Sequence, residues 1–488
     1  MPTPKGDLKA AIAVTRFGLG ARSGEIEAAS HDPRGWLTAQ INPAGAAIPQ
    51  TDGDAGARLA ELREFQLARR DARQEKIQTA ANQAPQPSPA PQPSPAPQPP
   101  EAERDPVKAA QKLLRDEAGQ DFLARARLGA TTPDSFAERW ALFWANHFTV
   151  SATKLETATL MGPFEAEAIR PHVFGRFADL LAAADTHPAM LLYLDQAQSI
   201  GPNSPLAQRA AFNPTTPRRA GLNENLAREI LELHTVGVNG GYSQTDVTEF
   251  ARAMTGISIA RPAEAQEGAS PTLFRVAAHE PGARTILGVR YDEPGRDQAA
   301  SVLRDLAAKP ATAAFVCGKI ARHFVADTPD PALVARLERA WTGSGGDLSR
   351  VAQALVAAPE AWAPAETKFK TPYEFIISSY RAADVAPSGV DKLAPILTAL
   401  GQRPYSAPSP KGWPDDAGAW AAPDAIVKRM QFAQGFAAVA TRDRDPNALA
   451  VEALGARLTP AVATAISRAE SRAEGLALLL MSPEFQRR

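Results

Sequence analysis

Apolar residues recur at three- and four-residue spacing along most of this chain, with charged residues filling the positions between them. "PDSFAERWALFWANHF" (133–148), "DVTEFARAMTG" (246–256), "PALVARLERAWTG" (331–343), "DLSRVAQALVAAPEAW" (347–362), "PYEFIISSYRAAD" (372–384) and "EGLALLLMSPEF" (474–485) all carry it. That spacing is the repeat of one helix face, so each stretch predicts an amphipathic α-helix. Many stop at glycine or just before proline, as helix ends do. Strand-like patterning is rare. "TLFRVAAHE" and "RTILGVRY", on either side of "EPGA", predict one hairpin. The chain therefore reads as mainly α, a large multi-helix globular fold with at most a small β-hairpin.

One stretch breaks the pattern. "APQPSPAPQPSPAPQPP" (84–100) repeats a Pro-rich unit, and proline lacks the N–H that helix and central strand need. It predicts a solvated polyproline II spacer. The division that follows is a helical N-terminal part of the main domain at 1–74, a Pro-rich disordered insert at 75–105, and the main helical domain at 106–488. "DLSRVAQALVAAPEAW" and "AEGLALLLMSPEFQ" echo each other, each running an apolar helix into a Pro-Glu step.

Composition narrows the classes. The 488 residues are 44% hydrophobic and 22% charged, a globular balance. Lysine plus arginine number 53 against 54 acids, so no net field favours nucleic acid or anionic lipid. The single cysteine, Cys317, excludes an intramolecular disulfide framework and a multi-thiolate zinc site. Before Arg16 the only apolar run is "AAIAV", too short for a signal sequence or a membrane span. The expectation is a chain with no export signal of its own, cytoplasmic as written.

The densest polar helix is "NENLAREILELHTVG" (223–237). At about 100° per residue, Leu226, Ala227, Ile230, Leu231 and Leu233 share one arc, with His234 and Asn223 at its middle. Glu224, Arg228 and Glu232 form a second face, and Asn225 and Glu229 make a further pair. On one reading this ladder is solvated, Asn223 caps the helix and His234 is a satisfied core histidine. On the other, the helix is buried on several sides and its polar groups line a cleft that tunes them. "SQTD" (243–246) offers a capping box for the following helix. A metal motif is excluded here, because Glu232 and His234 are two residues apart, unlike the i, i+4 histidines of HExxH.

Further candidates lie elsewhere. Trp140, Phe143, Trp144 and His147 share one helical face that ends in the polar pair Asn146 and His147. "HPAMLLYLD" begins at His187 and ends in Asp195, an acid that must be paired, capping or functional. His279 stands before a Pro-Gly turn with Arg284 just beyond, and turn-borne histidines favour function. The loop 401–423 carries Trp413 and Trp420, which suits a binding rim.

Taken together, "RFGLGAR", "FWANHFTVS", "RPHVFGRFADLL", "HPAMLLYLD", the 223–256 segment, "HEPGARTILG", "PKGWPDD" and "SPEFQRR" resemble the bacterial family catalogued as domain of unknown function 1800. The resemblance runs from about Ala11 to the C-terminus, omitting the Pro-rich insert, and implies no particular reaction. It implies a partner, a sulfatase- or phosphatase-like protein of the family of domain of unknown function 1501, and periplasmic location by co-export with it. Members often read His-Asp-x-Gly-x-Lys where this chain has Glu280 and Arg284. The resemblance raises the expectation that the polar segments converge on a cleft. The enzyme so expected is hydrolase-like, with His234, His147, Asp195 and Glu229 as catalytic groups. Asn223, Glu224, Arg228, Asn146, His279, Arg284 and Trp413 would bind substrate, and one divalent metal ion is a variant of the same site. The alternative is a non-catalytic binding or maturation partner of the sulfatase/phosphatase-like neighbour.

Overall fold

Proline opens many of the helices in this chain. Asp330–Pro331, Thr371–Pro372, Asp445–Pro446 and Ser482–Pro483 each place a capping side chain directly before a proline at the first helical position. The proline has no N–H to leave unpaired there, and the Asp, Thr or Ser oxygen accepts from a backbone N–H two or three residues on. Asp330 accepts from Ala332 at 2.8 Å and Asp445 from Asn447 at 3.0 Å. This cap-plus-proline step punctuates a stack of short helices.

The computed structural model describes residues 8–82, 106–211, 221–260, 264, 271–365, 368–441 and 444–488. The described residues are 65% helical with 4% strand, which settles the class as mainly α. No described helix is long and apolar enough to cross a membrane. The Pro-rich stretch 84–100 lies outside the described residues. The helix Ala55–Asn82 runs through 75–82, which had been assigned to the insert. "EKIQTAAN" has no proline, so nothing stops the helix earlier.

The strands pair differently from the expectation. β1 (Ile257–Ile259) runs antiparallel to β2 (Thr272–Phe274), and β3 (Arg284–Ile286) to β4 (Val289–Tyr291). "RTILGVRY" therefore folds on itself. Leu287 and Gly288 have φ of 48° and 78°, the two left-handed residues of a tight hairpin turn. "TLF" instead closes on "ISI", which follows the Gln244–Met254 helix and has no strand-like alternation long enough to flag it.

Two apolar clusters form the core. One gathers Phe17, Phe136, Trp140, Trp144, Phe177 and Phe324, and the other Phe122, Phe375, Phe432, Phe436 and Phe485. Trp140 and Trp144 are fully buried, and the Trp140 indole N–H donates to the Val173 carbonyl at 2.6 Å. Buried arginines tie segments distant in sequence to one another. Arg16 donates to the carbonyls of Ala361, Ala363 and Ala365, and Arg381 to those of Gly20, Gly129 and Thr132. The echoed segments both end as expected, in helices Leu348–Ala357 and Arg472–Met481, each followed by a short proline-led turn.

Candidate active site

Helix Ser135–His147, helix Pro310–Phe324 and the loop around 408–416 enclose a cleft of about 680 Å³. That is within the roughly 300–1,000 Å³ range of small-molecule sites. His147 is the last residue of its helix, so its imidazole projects from a helix end into the cleft. Lys319 and His323 are four residues apart and share one face of theirs. The opposite wall carries Glu232 and Leu233.

The loop is fixed in place by Asn146. Its Oδ1 accepts from the Trp413 N–H at 2.8 Å and its Nδ2 donates to the Trp413 carbonyl at 3.1 Å. Gly412 makes the approach practicable: its φ is 86°, and a Cβ there would stand 2.5 Å from the Asn146 carbonyl oxygen. Ser151 donates to the Ala407 carbonyl and the Ala152 N–H to that of Tyr405. Trp413 is thus a rigid wall.

Within the cleft His147 and Lys319 form a pair. His147 Nε2 lies 3.1 Å from the His234 carbonyl. A carbonyl only accepts, so Nε2 carries the proton and Nδ1 presents a lone pair. Lys319 Nζ donates to that lone pair at 2.9 Å. Burial, then Lys319, holds His147 well below its usual range, so it stays neutral. Burial also pulls the Lys319 ammonium down to about 8, with Lys411 and Arg322 adding to the fall against the pull of Asp415. A lysine with this pKa is half-neutral near working pH.

Behind Lys319 lies a charged network. His323 Nδ1 is 3.1 Å from Asp415 Oδ2, while Arg139 Nε donates to His323 Nε2 at 3.3 Å. Arg139 and Arg488 both reach Glu374, at 3.2 and 2.9 Å. Lys368 bonds Asp327 at 2.7 Å and the Asp415 carbonyl. Burial alone would raise the Asp415 carboxyl, but His323, Lys368 and Arg488 hold it well below the carboxylate range.

His234 lies one layer deeper. The helix carrying it changes from α over Asn225–Glu229 to π over Ile230–His234. Such π turns recur at functional sites. His234 Nδ1 approaches Asp185 Oδ1 to 2.8 Å with both side chains fully buried. That approach lies outside hydrogen-bond geometry, and among the described residues no hydrogen-bond partner reaches either side chain. Burial pushes the Asp185 carboxyl up, with His234 opposing. His234 thus contributes its carbonyl to the cleft, through His147, while its ring faces Asp185.

The other expected residues divide. Asn146, His147 and Trp413 line the cleft; Asp195, Glu229, Asn223, Glu224, Arg228, His279 and Arg284 do not. Asp195, at φ 57°, pairs with Lys154 at 2.7 Å on the surface. Glu229 is half-buried, and its carboxyl is raised by burial against the pull of His234. Asn223 accepts from Asn225 N–H and donates to the Leu194 carbonyl, two residues before the helix that starts at Asn225. Glu224 binds Arg228, Gln244 and Thr248 on an outer face. Its ladder ends there, because the π turn rotates Glu232 towards Tyr242 at 3.4 Å. His279 donates to the Thr255 carbonyl at 2.9 Å, and Arg284 meets Glu249 and the Pro281 carbonyl. Glu280 is a clamp, accepting from both the N–H and side-chain amide of Asn203. The Ser243–Asp246 capping box is present.

A family model described as "Protein of unknown function (DUF1800)" matches residues 12–487. The chain belongs to that family. No curated protein and no solved structure matches it. In this DUF1800 chain no group of three or more His, Cys, Asp or Glu side chains among the described residues is placed to share a metal ion. The groups that sequence reasoning passed over are Lys319, His323, Asp185 and Asp415. "CGKIARHF" carries Lys319 and His323 at i, i+4, and that spacing was the available signal. Asp185 and Asp415 join the site only through tertiary contact.

Proposed function

We propose that this DUF1800 protein is an enzyme, hydrolase-like in its chemistry, that works at Lys319 Nζ in the cleft beside His147. The observation that carries the reading is the 2.9 Å contact of Lys319 Nζ with the unprotonated nitrogen of His147. With a pKa of about 8, about a quarter of Lys319 is neutral at pH 7.5, against about one in a thousand for an ordinary lysine. A neutral amine takes a proton from a water or substrate hydroxyl; the resulting ammonium returns it to a leaving group. His147 accepts an N–H from Lys319 in either state and so holds Nζ in one position. The His234 carbonyl fixes the tautomer that allows this.

The test is competitive acetylation of the intact protein from pH 6 to 11, read residue by residue by mass spectrometry. Lys319 should reach half its limiting reactivity near pH 8, about two pH units below an ordinary lysine. A Lys319→Met variant should lose turnover of whichever ester, amide or phosphoester substrate a hydrolase panel reveals. Lys319 titrating in the ordinary lysine range would overturn the proposal.

One observation favours the second reading, a binding or maturation partner of a sulfatase- or phosphatase-like protein. An apolar groove of about 750 Å³ lies among helices Pro372–Ala382, Val390–Ala399 and Pro423–Ala440, with Val439 76% exposed at its edge. That reading requires co-purification with such a protein, and loss of the complex in a Val439→Asp variant. A monodisperse monomer in a micromolar mixture of the two would end it.

A further inference from the structure

The cleft is asymmetric in how its charges are used. Asp415 is engaged by His323 and Lys368, and Asp327 by Lys368 and the Ala417 N–H. Asp416 caps the Ala419 N–H, and Glu232 accepts from the Tyr242 hydroxyl. Every acid lining the cleft thus has a partner. The cations do not have acids. Among the described residues no carboxylate lies within ion-pair distance of Lys319, Arg322 or Lys411, although all three line the cleft. Among the described residues Lys319 meets the His147 nitrogen and the Phe315 ring, 5.5 Å away, and Arg322 meets the Asp327 backbone carbonyl. Beside them Phe143, Phe315 and Trp413 provide apolar wall.

From this arrangement we infer that the cleft binds a small organic anion, a carboxylate or a phosphate or sulfate monoester. Its charged head lies among Lys319, Arg322 and Lys411, and its apolar body lies along Phe315 and Trp413. Three cations on one cleft, none of them in a direct ion pair among the described residues, repel one another, and an anion removes that repulsion while its body displaces water from the aromatic wall. The inference deepens the reading of Lys319 as the working group and rests on the same cleft, but binding does not require turnover. Among the charges around it, Lys319 feels Asp415 first, which raises its pKa, and then Lys411 and Arg322, each of which pulls it down. An occupying anion therefore reverses that effect, which gives a readout independent of activity.

The experiment uses the full chain and probes that separate charge from body: phenyl phosphate, benzoate, benzyl alcohol and inorganic phosphate. Affinities are measured by isothermal titration calorimetry, and the Lys319 titration is repeated at saturation. Phenyl phosphate or benzoate should bind at least tenfold more tightly than benzyl alcohol and than inorganic phosphate. Which of the two wins distinguishes a phosphoryl from a carboxylate head. Saturation should move the Lys319 midpoint from about 8 upward by a full pH unit or more. A Lys411→Gln, Arg322→Gln double variant should lose about tenfold in anion affinity. Both side chains are exposed, so its thermal midpoint should match the parent and exclude misfolding. Benzyl alcohol matching the anions, an unchanged affinity in the double variant, or a Lys319 midpoint unmoved by saturation would each overturn the inference. An apparent Lys319 pKa near 10 in the free protein, with anion binding intact, would sink the proposed chemistry and leave this site standing.

Discussion

Replacing Glu374 by glutamine isolates one charge in the network behind the cleft. Glu374 opens the helix Pro372–Ala382 as the partner of Thr371 in a capping box, accepting from the Thr371 N–H at 2.9 Å. Glutamine keeps the volume and the acceptor, so the cap survives. What it loses is the carboxylate between Arg139 and Arg488, each about 1% exposed. Burial alone would raise this carboxyl, but Arg488, Arg139 and His323 bring it from 4.5 down to about 2. At about 1.4 kcal/mol per pH unit, that drop is about 3 kcal/mol of folding stability at neutral pH. The figure agrees with the roughly 3–5 kcal/mol lost when one member of a buried ion pair is removed. Arg139 sets a limit on the gain: burial, then Arg488, pulls it down to about 9, so desolvation has already consumed part of the attraction.

The sign with pH follows from the direction of the shift. A carboxyl lowered on folding contributes its full stability above 4.5 and loses it as pH falls towards 2. The Glu374→Gln variant should therefore unfold in urea with about 3 kcal/mol less stability than the parent at pH 7. By pH 3 the difference should have fallen to about 1.4 kcal/mol. The assay is parallel urea titration at both pH values, compared by midpoint with m held common. A variant within about 0.5 kcal/mol of the parent at pH 7, or a gap that is constant between the two pH values, would refute the reasoning.

Three further outcomes are expected. Asn146→Ala removes both hydrogen bonds to the Trp413 backbone; it should cost about 1–3 kcal/mol and speed limited proteolysis within 401–416, and an unchanged cleavage rate would contradict the clamp. Gly412→Ala forces a Cβ into a left-handed position 2.5 Å from the Asn146 carbonyl, so its thermal midpoint should fall by several degrees; a midpoint at or above the parent's would mean that the loop yields freely. Cys317 is fully buried and burial pushes its thiol up. It should resist a thiol reagent at pH 8 in the native protein and react stoichiometrically in urea, whereas rapid native labelling would show the Pro310–Phe324 helix opening readily.

Much of the local structure could be read directly. The 3.6-residue repeat located the helices, because a helix buried on one side must place apolar groups at that period whatever it packs against. The capping box at Ser243–Asp246 was equally legible, since it is closed by residues three apart. The strand pairing was less so. "RTILGVRY" carries its own turn at Leu287–Gly288, yet the Pro-Gly step upstream was the stronger sequence cue, and three-residue strands leave no alternation to arbitrate.

The site shows the same division. Asn146, His147 and Trp413 were identified as candidates because polar groups at the end of an aromatic helix face, and a tryptophan in a Pro/Gly loop, are locally unusual. Asp195 and Glu224 were locally unusual too, but their partners Lys154 and Thr248 turned out to be surface neighbours. Whether a carboxylate on a helix faces a cleft or water depends on what the chain brings opposite it. The π turn at Ile230–His234 shifted the register by which Glu232 and Leu233 had been placed, and a wheel at α-helical pitch has no means of anticipating it.

The sequence by itself determined the helical class, the helix starts and the apolar faces, because those are set by interactions within a few residues. Tertiary structure alone decided that Lys319 meets His147 across 172 positions, Asp185 meets His234, and Asp415 meets His323 across 92. Those contacts desolvate charge, and the free energy of a buried charge depends on all of its surroundings at once. A lysine of lowered pKa beside a neutral histidine is a property of the packed cleft and of no segment within it.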